Sequence, residues 1–156
     1  MRHFFVPIFA GVLVITDEII KWIALRTLPL DSSLVDPSFF ELAVHKNQGI
    51  AFDIPFRLPF ILIISILIGF FLLEIAWRNR KTHRDITASA VVIIVGALGN
   101  LYDRVAYGFT VDYVILLGRS AINISDLIIL IGVAWLLVAS RREHEHHLIH
   151  PHEPRR

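Results

Sequence analysis

The sequence predicts an all-α integral membrane protein of four transmembrane helices, with a small β element in the first outer loop. Three observations predict it. The 156-residue chain is 55% apolar and only 19% charged, with a mean hydropathy of +0.64; a soluble domain runs at roughly 45–50% apolar and about 25% charged. The apolar residues gather into four segments, each close to the ~20 residues that an α-helix needs to cross ~30 Å of hydrocarbon. Lysine and arginine are spread unevenly among the connections. The length suits one domain rather than a multidomain transporter. The absence of cysteine excludes disulfides, thiolate metal sites and a cysteine nucleophile. A formal net charge of +1 offers no bulk attraction to nucleic acid.

The four segments run about Phe4–Ile23, Leu58–Trp77, Ile86–Tyr102 and Ala121–Ala139. Exposed backbone has no partner in lipid, so each is expected to be helical. The first resembles a secretory signal peptide in length. It lacks a small-residue cleavage site, however, and carries Asp17, Glu18 and Lys21 where one would lie, so it reads as a retained span. The second, LPFILIISILIGFFLLEIAW, is the cleanest. Residues 1–3, 78–85 and 140–156 hold Arg2, Arg78, Arg80, Lys81, Arg84, Arg141, Arg142, Arg155 and Arg156. The connections 24–57 and 103–120 are together nearly twice as long and hold only Arg26, Lys46, Arg57, Arg104 and Arg119. By the positive-inside rule both termini and the 78–85 loop are cytoplasmic, and the two long loops face outwards. Residues 1–140 form the four-span domain. Residues 141–156 are a charged, His-rich cytoplasmic tail to which no metal site is assigned.

Within the first outer loop, Phe40, Leu42 and Val44 alternate with Glu41, Ala43 and His45, and Ile50, Phe52 and Ile54 alternate with Ala51 and Asp53. Period-2 patterning on either side of Lys46-Asn47-Gln48-Gly49 predicts a small β-hairpin. A two-stranded hairpin is marginal alone, so this one is expected to rest on the helix ends or the bilayer surface.

Charges inside a span cost several kcal/mol unless paired. With this topology Asp17, Glu18 and Lys21 lie in the outer half of the first helix, Asn100, Asp103 and Arg104 at the outer end of the third, and Asn123, Ser125 and Asp126 in the first turns of the fourth. All three sets meet at one depth. Asp17/Lys21 and Asn100/Arg104 are four apart, and Asn100/Asp103 and Asn123/Asp126 three apart, so each pair shares a helix face. Gly96 and Gly99 allow a close helix approach. Plainer roles are available as well: an intrahelical ion pair for Asp17 and Lys21, a headgroup anchor for Arg104, and a helix cap for Asn123.

Ser125 has no nearby His or Gly-rich elbow, so covalent acyl transfer is poorly supported. His45, the one histidine in the outer loops, is a thin basis for a zinc site. That leaves carboxylates. Two close carboxyls cannot both ionise cheaply, so one keeps a proton while the other activates water, which is amide hydrolysis without a covalent intermediate. Spacing does not choose the pair among Asp103, Asp112 and Asp126. A small proton-coupled membrane carrier would use the same groups as a relay, but Ser65, Glu74, Thr87 and Ser89 make no continuous polar chain to the cytoplasmic side.

Five ordered blocks carry a family resemblance: Asp17-x-x-x-Lys21; Asn47-Gln48-Gly49-Ile50-Ala51-Phe52; Gly96-Ala97-Leu98-Gly99-Asn100-Leu101-Tyr102-Asp103-Arg104; Val111-Asp112-Tyr113; and Asn123-Ile124-Ser125-Asp126. Over nearly the whole chain up to about residue 140 it resembles lipoprotein signal peptidase (signal peptidase II), a membrane aspartic peptidase. The resemblance implies Asp112 and Asp126 as the catalytic pair, with Asp17, Lys21, Asn47, Gly49, Asn100, Asp103, Arg104 and Asn123 as supporting polar residues. It implies a diacylglyceryl-modified prolipoprotein substrate cleaved before its lipid-bearing cysteine, sensitivity to globomycin, no metal or organic cofactor, and a place in the bacterial inner membrane with the site near the periplasmic face. Membrane lipid is the expected surrounding partner, nucleic acid is not a partner, and the protein is expected to be a monomer. The chain departs from the family pattern at Ile122 (usually Phe), Ser125 (usually Ala) and Tyr113 (commonly Phe). A non-catalytic homologue that binds lipidated peptides is disfavoured because both aspartates are present.

Overall fold

The computed structural model describes residues 2–30, 40–49, 56–116 and 120–149. In these, the elements follow in the order α1 (Arg2–Thr27), β1 (Phe40–Asn47), α2 (Leu58–Asn79), α3 (Arg84–Tyr107), β2 (Thr110–Leu116), β3 (Ser120–Ile122) and α4 (Ile124–Ile149). Each expected apolar segment is a helix. α4 starts three residues later than expected, because residues 120–122 are a strand, and it runs on through the first residues of the segment read as a tail.

α2, α3 and α4 are long and apolar enough to cross a membrane. α1 matches them in length but holds Asp17, Glu18 and Lys21 in its second half. α3 is the hub, packed against α1, α2 and α4. Half of its apolar stretch is buried, against 11% of that in α2 and 22% in α4. Leu72 and Ala76 of α2 pack on Ala90 and Ile93 of α3. Ala10, Val92 and Ile128 join α1, α3 and α4. The outward sides remain apolar, with Ile8, Val12, Ile15 and Ile19 on α1 and Phe60, Ile64, Leu67 and Phe71 on α2 all exposed. A continuous apolar band of this kind suits hydrocarbon rather than water.

Glycine sets the α3–α4 distance. A Cβ on Gly96 would lie 2.9 Å from Ile129 Cγ1 and 3.0 Å from the Ser125 carbonyl oxygen, and one on Gly99 would lie 2.5 Å from Ser125 Oγ. The expected close helix approach is therefore present. α3 stops at Gly108, whose left-handed φ of 84° lets its N–H donate back to the Arg104 carbonyl at 3.1 Å.

The β structure differs from expectation. Strand Phe40–Asn47 forms, but its partner is β2, in a three-stranded antiparallel sheet of order β1-β2-β3. His45 lies opposite Asp112 and Asn47 opposite Thr110, with a bulge between Leu42 and His45. Residues 50–54, expected to be the second hairpin strand, lie outside the described residues. Alternation marks a strand without naming its partners, and among the described residues β1 pairs with β2. Its first four residues and Ile115 are buried, so pairing there gives β1 a covered neighbour rather than a solvated two-stranded ribbon. The second outer loop, expected only as the carrier of Asp112, thus supplies the central strand and its short hairpin partner.

Gly99→Ala should lower stability by about 1–3 kcal/mol, because the added methyl meets the Ser125 hydroxyl, which is bonded to Asp17 at 2.6 Å. The check is the thermal midpoint of detergent-solubilised protein; an unchanged midpoint contradicts this account of the α3–α4 contact.

Candidate active site

The polar residues of α1, α3, β1, β2 and α4 converge where the sheet meets the ends of the helices. Asp112 is on the central strand and almost fully buried. Its Oδ2 accepts a hydrogen bond from Asn47 Nδ2 at 3.0 Å, and its Oδ1 accepts one from Asn123 Nδ2 at 2.7 Å. Asp126 is in the first turn of α4. Its Oδ1 accepts from Asn100 Nδ2 at 2.7 Å, and its Oδ2 accepts from the Asn123 backbone N–H at 3.2 Å. The Asp126 backbone N–H donates to Asn123 Oδ1 at 2.9 Å. That reciprocal pair is a capping box with Asp in the N3 position. Asn123 is therefore both a helix cap and a ligand of Asp112.

Each of the three carboxamides is turned so that its NH₂ faces an acid. Asn47 Oδ1 accepts the Gly49 backbone N–H at 3.0 Å, leaving its nitrogen for Asp112. Asn100 Oδ1 accepts from Asn123 Nδ2 at 3.1 Å and from Lys21 Nζ at 3.5 Å, leaving its nitrogen for Asp126. A carboxamide has one acceptor end and one donor end, so occupying the oxygen decides where the nitrogen points. Arg104 Nη2 donates to the Gly49 carbonyl at 3.3 Å and ties the segment after β1 to α3, which is a more specific contact than a headgroup anchor.

Behind the two acids lies a buried charge cluster. Lys21 Nζ is 2.8 Å from Asp103 Oδ2, 3.1 Å from Asp17 Oδ2 and 3.0 Å from Glu18 Oε1. Asp103 Oδ2 also accepts the Val111 backbone N–H at 3.1 Å, fixing the residue before Asp112. Asp103 Oδ1 and Thr110 Oγ1 are buried without a partner among the described residues. Asp17 and Lys21 do form the intrahelical pair that their spacing suggests, but Asp17 does more. Its Oδ1 accepts the Ile124 N–H at 3.1 Å and its Oδ2 the Ser125 N–H at 3.1 Å. A carboxylate from α1 thus satisfies two of the unpaired N–H groups at the start of α4.

Burial pushes the Asp112 carboxyl up to about 7; neighbouring Asp126 adds to the rise, while the amides of Asn47 and Asn123 and the nearby His45 oppose it. Burial, together with its bond to Asp17, also raises the Tyr113 hydroxyl. Among the described residues no three His, Asp or Glu side chains are grouped to hold a metal. Of the three acids that spacing left open, Asp112 and Asp126 share Asn123, whereas Asp103 is turned to Lys21. Sequence reasoning did not foresee the Tyr113 hydroxyl and Ser125 Oγ as ligands of Asp17, although both residues stood out as departures from a pattern.

Residues 9–142 match the family model described as signal peptidase (SPase) II. The chain belongs to the signal peptidase II family. The lipoprotein signal peptidase of Syntrophotalea carbinolica is 34% identical over 148 residues, covering 87% of this chain and 90% of that one. That of Geobacter sulfurreducens is 32% identical over 139 residues, covering 83% and 86%. Among solved structures, a bacterial membrane enzyme determined by the in meso method at 2.3 Å resolution superposes with a TM-score of 0.74 at 28% identity, covering 90% of each chain. Membership of the signal peptidase II family makes this chain a peptidase, and with its apolar helices a bacterial membrane protein.

Lys21→Met removes the one ammonium from between Asp17 and Asp103 while keeping the side-chain volume. Two buried carboxylates would then lack a counter-charge, at a cost of about 3–5 kcal/mol. Unfolding in mixed detergent micelles should show the loss, and a wild-type curve would mean that the cluster is not held together by Lys21.

Proposed function

We propose that this signal peptidase II family member is a membrane-embedded aspartic endopeptidase that removes the signal peptide from diacylglyceryl-modified prolipoproteins, cleaving before the lipidated cysteine. Asp112 and Asp126 are its catalytic pair. The observation that carries this reading is the Asn123 bridge, whose side-chain nitrogen donates to Asp112 while its backbone N–H donates to Asp126. Asp17, Lys21, Asn47, Gly49, Asn100, Asp103, Arg104 and Asn123 support the pair.

The raised Asp112 carboxyl is the proton carrier, and Asp126 is the base. Asp126 takes a proton from water as the water oxygen bonds to the scissile carbonyl carbon, and Asp112 gives its proton to the carbonyl oxygen. In the second half, Asp126 protonates the leaving nitrogen and Asp112 recovers a proton from the hydroxyl as the C–N bond breaks. The pair returns to its starting state, and no covalent intermediate forms.

Four crossings by α1 to α4, with both termini cytoplasmic, put this pair near the outer face of the bacterial inner membrane. Interfacial anchors support crossings of this depth. Arg26 stacks on Trp22 at one level, 3.7 Å from the ring centroid, and Arg80 on Trp77 at the other, 3.6 Å away. A scissile bond at the outer interface is out of reach of a soluble protease and within reach of acids at that depth. Residues 1–140 act as one domain, 141–156 as a cytoplasmic extension, and the enzyme works as a globomycin-sensitive monomer.

The test is cleavage of a lipidated precursor by purified protein. Asp112→Asn and Asp126→Asn should each lower the rate by about 10³-fold or more while the protein still inserts; wild-type turnover by either variant removes the mechanism. The pH dependence has a definite sign. Because the Asp112 pKa is raised to about 7, its protonated form is present below that pH and lost above it. Cleavage should therefore decline as pH climbs past about 7, whereas a flat profile from about pH 6 to about 9 would exclude a shared proton.

A further inference from the structure

Asp112 and Asp126 are held from the front by carboxamides, but each also has a neighbour in sequence that faces backwards. Tyr113 follows Asp112 on β2, so its side chain leaves the opposite face of the strand. Ser125 precedes Asp126 on α4. Both point to one carboxylate on a third element. The Tyr113 hydroxyl donates to Asp17 Oδ1 at 2.7 Å, and the Ser125 hydroxyl donates to Asp17 Oδ2 at 2.6 Å. Asp17, Ser125 and Tyr113 are all buried.

We propose that Tyr113 and Ser125 are positioning residues, which grip the two oxygens of Asp17 and thereby set the separation of Asp112 and Asp126. The proposal rests on the reading of those two acids as the catalytic pair. Three features favour it. Hydroxyl-to-carboxylate bonds of this length are charge-assisted and among the stiffer contacts available to a side chain. Asp17 is itself fixed, by Lys21 at 3.1 Å and by the Ile124 and Ser125 backbone N–H groups, so it is an anchor rather than a passenger. The strand and the helix have no other side-chain clamp on this side, among the described residues, that reaches the neighbours of both acids. Neither hydroxyl contacts Asp112 or Asp126, so each acts through Asp17.

The experiment uses the full chain in lipid nanodiscs, with Tyr113→Phe, Ser125→Ala and the double variant. In each, Asp17 keeps Lys21 and two backbone donors, and the Tyr113 ring keeps its packing with Ala24, Val44 and Val111, so the protein should fold. With a diacylglyceryl-modified precursor, each single variant should lower kcat about fivefold, the loss of one such hydrogen bond, while KM stays within about twofold. Losing either hydroxyl ends the shared grip of strand and helix on Asp17, whose two backbone bonds to α4 remain in every variant, so the double variant should lose about fivefold as well, not about twenty-five-fold. Amide hydrogen exchange gives a readout that needs no turnover. Tyr113→Phe should speed exchange at Ile124 and Ser125, across Asp17 on the other element, and Ser125→Ala should speed it around Tyr113. Losses that multiply, a change confined to KM, or exchange that changes only in the substituted element would each overturn the clamp. If wild-type protein leaves the precursor intact, the proposed function fails, and the exchange arm still decides the clamp.

Discussion

The carboxamide of Asn123 joins the strand that carries Asp112 to the helix that carries Asp126, and most of the surrounding polar structure keeps that carboxamide in place. A buried carboxyl needs donors on its oxygens, and a buried carboxamide has to send its oxygen one way and its nitrogen the other. Those two requirements propagate outward. The Asn123 oxygen is committed to the α4 N-terminus, so its nitrogen reaches Asp112; the Asn100 oxygen is committed to Asn123 and Lys21, so its nitrogen reaches Asp126. Lys21 is in turn fixed by Asp17 and Asp103. The result is one connected network from α1 to the sheet, with the two acids at its front.

Such a network is stable only where water is scarce and the backbone cannot move, and the fold supplies both conditions. α3 gives up side-chain bulk at Gly96 and Gly99 so that α4 can lie against it, which brings Asn100 within reach of Asp126 and Asn123. The sheet covers the helix ends and brings Asp112 over them. Its central strand is held by Asp103 on one backbone N–H and by Asp17 on the next-but-one side chain. The apolar outer surface of the helices suits hydrocarbon around it.

Much of this was legible in the residues alone. Four apolar stretches of spanning length became four helices, and the three- and four-residue spacings of Asp17/Lys21, Asn100/Asp103 and Asn123/Asp126 put the named side chains on shared faces. The partner of the first strand was not legible. Alternation over residues 40–45 marks the strand, although of Phe40, Leu42 and Val44 only Val44 is buried, and its pairing with residues 110–116 depends on long-range packing. Nor was the backward-facing role of Asp17. An ion pair with Lys21 accounts for its spacing completely, and only the tertiary approach of α1 to the start of α4 reveals it as a cap for a second helix. The hydroxyls of Tyr113 and Ser125 stood out only as departures from a pattern, because a hydroxyl's partner is not written in its neighbours.

The central claim is that Asp112 and Asp126 behave as one coupled pair. The most direct measurement is a carboxyl titration by carbon-13 NMR of aspartate-labelled protein in nanodiscs, repeated with Asp126→Asn. The account predicts that Asp112 titrates at about 7 in the wild type and falls toward the ordinary carboxylate range once the neighbouring charge is removed. An Asp112 titration that is the same with and without Asp126 would contradict it.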